Sequence, residues 1–300
     1  MCGRFANGLP RDQYRAAVAD QLPDRAEPRP SPDADDYQPS YNVAPQTRSP
    51  VIRRRSTGGG EEGVEEIIIQ TMKWGLIPRF TKHPPSYQDT YRTINARDDT
   101  LLGPTKSIWH PLLPNQRCVI FCQGFYEWQK KPLLGGSAQL SKEGGIGSEK
   151  VEKVPHFVGM KEPGPGRKGK DGQQKRLMAM AGLWEKVKFQ GSKDWLYTFT
   201  VITTDSNPQL RFLHDRMPVI LPDAASIATW LGLGEKEANS WSPKVASLLR
   251  PLDRELECYK VPKEVGKVGN SSPSYMLPVE DRKDGLKAFF GKQSKVKEEA

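Results

Sequence analysis

The chain reads as α+β: a single β-rich domain whose strands form a barrel-like mixed sheet, with short helices interspersed. Three observations predict this. The runs VEEIIIQTMKW, RCVIFCQGFYEW, VPHFVGM, RLMAMAGLWE and WLYTFTVITT are dense in β-branched and aromatic residues and are separated by turn formers. Helical periodicity is confined to short stretches between those runs. The 300 residues carry no internal repeat and suit one large domain.

In chain order, RDQYRAAVADQL is an amphipathic helix entered through Pro10, a residue that pre-sets the first helical turn. Residues 24–40 are rich in Pro and Asp and predict irregular chain. RRRSTGGGEEG at 53–63 reads as a hairpin-like insertion between strands at about 50–54 and about 65–72. Segments 132–153 and 162–175 read as loops with little to bury. NPQLRFLHDRM, DAASIATWLG and SPKVASLLRP read as short helices. From residue 280 to 300 the composition is that of a charged, flexible tail with one hydrophobic island, LKAFF.

Composition narrows the classes. With 36% hydrophobic and 27% charged residues the chain is polar but still able to build a core. No apolar run reaches the length of a membrane span, and no signal-peptide pattern opens the chain. Four cysteines in a chain this long make no disulfide framework and point to a reducing compartment. The formal charge of +9 favours a polyanionic partner such as nucleic acid.

Several residues bear chemistry. Cys2 follows the initiator methionine, so removal of Met1 would place a thiol and an α-amine on adjacent carbons. That amine has a reference pKa of about 7.7–8.0, against about 10.4 for lysine. The same cysteine also reads as a small buried apolar residue. In CVIFCQGFYEW, strand alternation sets Val119, Phe121, Phe125 and Glu127 on one face, opposite Cys118, Ile120, Cys122 and Tyr126. A carboxylate ending an apolar face has its pKa raised by burial toward acid/base use. A bulge at Gly124 would instead turn Glu127 to water or an arginine. Cys118 and Cys122 lack a second ligand pair at zinc spacing, so no metal site is expected. His214, followed by Asp215 and Arg216 and then a proline, suits a general acid/base. His83, His110 and His156 show no comparable pattern. TINARDD puts Asn95 and Arg97 on one face of an extended stretch, and WGLIPRF adds Trp74 and Arg79. An arginine with an aromatic suits backbone contact and base stacking on single-stranded nucleic acid, and equally describes a core tryptophan with a surface arginine.

Seven motifs then occur in order: MCGRF, YNVAP at 41–45, WGLIP at 74–78, NAR at 95–97, GFYEW at 124–128, AGLWE at 181–185 and HDRMP at 214–218. This series resembles the SOS-response-associated peptidase domain family, whose eukaryotic members are abasic-site shielding proteins also described as 5-hydroxymethylcytosine binders. The resemblance spans residues 2–279, interrupted by insertions at 24–36, 55–63, 132–153 and 162–175. It implies a single-domain fold and a nuclear, monomeric protein without metal or organic cofactor. It also implies binding to single-stranded DNA carrying an abasic site, followed by a covalent crosslink from Cys2 as nucleophile. By the same resemblance Asn95 lies near the reacting centre, and Glu127 and His214 act as acid/base groups. Arg4, Asn42, Trp74, Arg79 and Arg97 match positions along the DNA path.

The chemistry of residue 2 is compatible with this. At pH 7 roughly a tenth of such an α-amine is unprotonated, against well under a thousandth of a lysine, so it can attack the ring-opened aldehyde of an abasic sugar. The imine formed on loss of water is then closed by the neighbouring thiol into a five-membered thiazolidine. A thiol autopeptidase using Cys2, Glu127 and His214, and a non-catalytic binder of modified DNA, are the competing readings. In the tail, Leu286, Phe289 and Phe290 resemble a sliding-clamp-binding peptide, although Lys283 stands where the leading glutamine belongs.

Overall fold

A computed structural model describes residues 2–32, 36–57, 64–132, 151–169, 171–233 and 239–281. The tail residues Leu286, Phe289 and Phe290 lie outside them, as does most of the 132–153 insertion. The strands are β1 (Phe5–Asn7), β2 (Arg29–Pro30), β3 (Ser40–Val43), β4 (Arg48–Thr57), β5 (Val64–Trp74), β6 (Asn95–Arg97), β7 (Arg117–Cys122) and β8 (Gly124–Pro132). They continue with β9 (Val151–Met160), β10 (Gly166–Lys168), β11 (Gln174–Arg176), β12 (Met178–Val187), β13 (Leu196–Asp205), β14 (Arg216–Pro218) and β15 (Leu256–Lys260). The helices are α1 (Arg11–Ala19), α2 (Tyr87–Tyr91), α3 (Asp98–Leu102), α4 (Ala224–Leu231) and α5 (Pro243–Ala246).

The large sheet runs β14-β13-β12-β7-β4-β5-β2, and a parallel pairing of β5 with β13 returns it on itself. Strands β13, β12, β7, β4 and β5 therefore close into a ring, the barrel expected from the sequence. Closure depends on Lys73 and Trp74 reaching Thr198 and Phe199. Beyond Trp74 the chain leaves for an excursion, then rejoins the same strand as β6, with Asn95 opposite Val201. A second sheet, β15-β9-β8-β1-β3, packs against the ring.

Period-2 alternation divides the ring's side chains between two cores. Val51, Met72, Trp74, Ile120, Met180 and Phe199 join Phe5, Phe125 and Val158 of the second sheet. The opposite faces, with Ile52, Ile69, Val119, Phe121 and Ile202, pack under α1 and α4. Helix α1 presents Tyr14, Ala17 and Val18 there, and the Tyr14 hydroxyl donates to the Phe121 carbonyl. Helix α4 is capped at its start by Asp223 and ends at Gly232 in the left-handed conformation.

Three local expectations are corrected. CVIFCQGFYEW is not one strand: it leaves the ring after Cys122 and enters the second sheet at Gly124. Gly124 has φ +155°, and a Cβ there would lie 2.4 Å from the Val158 carbonyl oxygen. The break shifts the alternation by one, so Phe125 shares a core with Ile120 and Cys122 instead of Val119 and Phe121. NPQLRFLHDRM forms successive turns and no helix, because Asn207 caps its own turn by accepting from the Leu210 N–H and donates to the Leu252 carbonyl. Segment 162–175 is largely a built hairpin. Arg167 pairs with Glu257 at 2.5 Å, and Lys175 lies between Asp171 and Glu257, so β15 supplies the buried counter-charge.

Candidate active site

Four separate pieces of chain carry Cys2, Asn95, Glu127 and His214. Cys2 enters ahead of β1, whose register against β8 pairs Phe5 with Phe125 and Ala6 with Gly124. The Tyr126 N–H continues that ladder to the Arg4 carbonyl, so the residues before Arg4 run toward Glu127. Asn95 opens β6, and its Nδ2 donates to the Cys2 carbonyl at 2.8 Å. Its Oδ1 is buried with no hydrogen-bond partner among the described residues. A buried acceptor left open beside Cys2 is an expensive arrangement for folding alone. His214 ends the turns that precede β14. Its Nδ1 accepts from the Arg216 N–H at 3.1 Å and lies 2.5 Å from Asp215.

Electrostatics tie these groups together. Cys2 is wholly enclosed, and burial, followed by the nearby Glu127 carboxylate, pushes its thiol up to about 12. Burial also raises Glu127, opposed by the positive amino terminus and by the Trp128 N–H. His214 is lowered by burial first and by the amino terminus second, with Asp215 acting the other way. Burial thus works on all three groups in the direction of their neutral forms. Among the described residues no cluster of three or more His, Cys, Asp or Glu side chains could hold a metal ion.

The profile of the SOS response associated peptidase (SRAP) family matches residues 1–268. The chain belongs to the SRAP family. It is 31% identical over 289 residues to the abasic site processing protein HMCES of Gallus gallus, covering 93% of this chain and 78% of that protein. It is 28% identical to the abasic site processing protein YMR114C of Saccharomyces cerevisiae, covering 93% of this chain and 68% of that one. Among solved structures, a protein from Bacteroides thetaiotaomicron superposes with a TM-score of 0.61 at 21% identity, covering 91% of this chain and 98% of its own. That likeness supports the mixed α+β SRAP fold.

Within this SRAP chain the expected DNA-path residues separate into two groups. Arg79 and Arg97 are exposed, although Arg97 is drawn to Asp99 at 2.5 Å. That pairing holds the Asp99 carboxyl at about 2. Trp74, Arg4 and Asn42 are buried. The Trp74 indole donates to the Ile94 carbonyl, and its ring lies between Phe5 and Phe199, so it is part of the floor. Arg4 Nη1 donates to Asn42 Oδ1 and to the Val265 carbonyl, while Asn42 Nδ2 donates to the Lys267 and Asn270 carbonyls. This pair ties the 265–270 segment against β1 and β3.

Two further groups of residues were not singled out by sequence. Asp98 Oδ1 accepts from Arg216 Nη2 at 2.5 Å and Asp98 Oδ2 from Thr204 at 2.6 Å, while Arg216 also donates to Asp205 and the Thr203 carbonyl. Arg216 carries the N–H that orients His214, so Asp98 positions the ring through it. Both residues lie inside quoted motifs, but nothing in their 118-residue separation signals the contact. On α2, Tyr87 and Tyr91 stack at 6.0 Å and stay exposed, close enough to Arg4 to act on its charge. Their i,i+4 spacing in SYQDTY was the available signal.

Proposed function

We propose that this protein recognises abasic sites in single-stranded DNA and links to them covalently through Cys2 after removal of Met1. The observation that carries the reading is the burial of Cys2 with its carbonyl held by Asn95 Nδ2 at 2.8 Å and with the Glu127 carboxylate near enough to raise its thiol. The names of the SRAP relatives, abasic site processing proteins, support the same substrate.

The α-amine adds to the aldehyde carbon of the opened sugar, and Glu127, whose affinity for a proton is raised by burial, delivers the proton that lets water leave. Asn95 Nδ2 holds the Cys2 carbonyl and its open Oδ1 accepts from the amine. The Cys2 S–H then adds across the imine: sulfur bonds to the former aldehyde carbon and its proton passes to nitrogen, closing the thiazolidine. His214 Nε2 exchanges a proton with the sugar ring oxygen during opening. Arginines such as Arg79 neutralise phosphates, so binding weakens steeply with salt. A thiol raised to about 12 is a poor first nucleophile, which favours amine attack over the autopeptidase reading.

The test is to incubate Met1-free protein with single-stranded DNA bearing an abasic site, denature, and run a gel. A heat-stable shifted band is expected from the parent. Cys2→Ser is expected to give an imine trapped by borohydride but no durable adduct. Absence of any adduct from the parent rejects the reading.

A further inference from the structure

One exposed aromatic stands apart from the site. Trp195 ends the turn between β12 and β13 and is 52% exposed. Lysines flank it: Lys186 Nζ lies 4.8 Å and Lys188 Nζ 6.0 Å from its ring centroid. Lys193, in the same turn, is also exposed, and Asp194 is the opposing charge within it. The turn is not isolated, since the Gln190 N–H donates to the Lys82 carbonyl at 2.8 Å. That bond ties it to the loop bearing exposed Arg79 and Phe80, which leaves β5 where the ring closes on β13. Exposed Arg79 and Phe80, and the lysines with Trp195, thus sit on two loops joined by that hydrogen bond.

We propose that the β12–β13 turn is a second DNA contact, in which Trp195 stacks on a base of the single strand running out from the lesion while Lys186 and Lys188 bind its phosphates. This rests on the reading of the active site as one for single-stranded DNA. The chemistry is that of single-strand grooves, where an aromatic face accepts any base and nearby cations follow the backbone. The net charge of +9 favours the same partner. Trp195 lies six positions along β13 from Val201, which faces Asn95, or about 20 Å at the rise of a strand. That is roughly six stacked nucleotides at 3.4 Å each, fewer if the strand is extended. The contact therefore lies beyond the nucleotides touching the lesion and sets affinity for longer strands.

The test uses the whole protein and a labelled, undamaged 25-nucleotide oligothymidine, read by fluorescence anisotropy across a salt series. Trp195→Ala should weaken binding roughly 5- to 150-fold, the range of one lost base–aromatic stack, and Trp195→Phe should restore most of it. Replacing Lys186 and Lys188 together by Ala should lower the slope of log affinity against log salt by about 1.4, at about 0.7 for each single-strand phosphate contact. Trp195→Ala should still crosslink at the parent rate to an abasic strand with only two nucleotides on each side. Parent affinity in Trp195→Ala overturns the inference, whatever the crosslinking result. So does equal loss on duplex and single strand, because that would mean phosphate contact without stacking. Failure of the parent to crosslink, with the Trp195 effect intact, rejects the active-site chemistry alone.

Discussion

Asn95→Ala tests the contact on which the active site is built. The change removes the Nδ2 donor that meets the Cys2 carbonyl at 2.8 Å and the open Oδ1 beside it. A buried carbonyl left without its donor costs about 1–3 kcal/mol. If that free energy is expressed in the step where the amine meets the aldehyde, at about 1.4 kcal/mol per tenfold, the single-turnover crosslinking rate falls roughly 5- to 150-fold. The assay uses excess protein over an abasic oligonucleotide, with intact mass confirming that Met1 is absent and thermal melting run in parallel. Asn95→Asp separates the two ends of the amide, because it keeps an acceptor and loses the donor. A parent rate in Asn95→Ala, accompanied by a lower melting temperature, would show that Asn95 only holds the fold and would refute its part in orienting Cys2.

Other consequences are equally specific. Glu127→Gln should slow crosslinking about 10²- to 10⁴-fold, the range for a lost acid/base group, without lowering the melting temperature at pH 7. The sign follows from burial raising Glu127 in the folded state: the native protein binds more protons than the unfolded chain between the unfolded and the raised pKa, so stability falls as pH rises through that window. Gln removes this penalty, and a destabilised variant with parent rate would contradict it. Asp98→Asn weakens the clamp on Arg216 and should slow the reaction through His214, so its effect and that of His214→Ala should fail to add in the double variant. Full additivity would rule out the relay. Gly124→Ala forces a side chain into the Val158 carbonyl at a positive φ and should cost about 3 kcal/mol or more, read as a drop of at least about 6 °C in melting temperature. An unchanged melting curve would mean the sheet switch does not depend on glycine.

Much of this protein is legible in its sequence because the signals are local. Aromatic and β-branched runs announce β5, β12 and β13, since a strand's two faces are written in alternate residues. Pro10 marks the entry of α1 through its fixed backbone, and Asp223 that of α4 through a side-chain oxygen that accepts from the Ser226 N–H. Cys2 is readable as an aminothiol because thiol and amine would share one residue. What a pattern of types leaves open is which faces meet. Val119 and Glu127 are separated by an even step and so promise one face, but Gly124 moves the chain into another sheet and resets the count. Trp74 and Arg79 are five residues apart and read equally as a DNA-facing pair or as a core tryptophan with a surface arginine. Ring closure at Phe199 buries Trp74, while the excursion that follows leaves Arg79 in water.

The strand content and the positions of the short helices α1 and α4 were therefore determined by sequence alone, because each depends on near neighbours in the chain. Which carboxylate loses water, which arginines become buried struts, and how Asn95 comes to hold a carbonyl 93 residues away were decided only by the tertiary structure. Desolvation and hydrogen-bond partnership are properties of a place in space, and that place exists only once the β5–β13 pairing closes the ring.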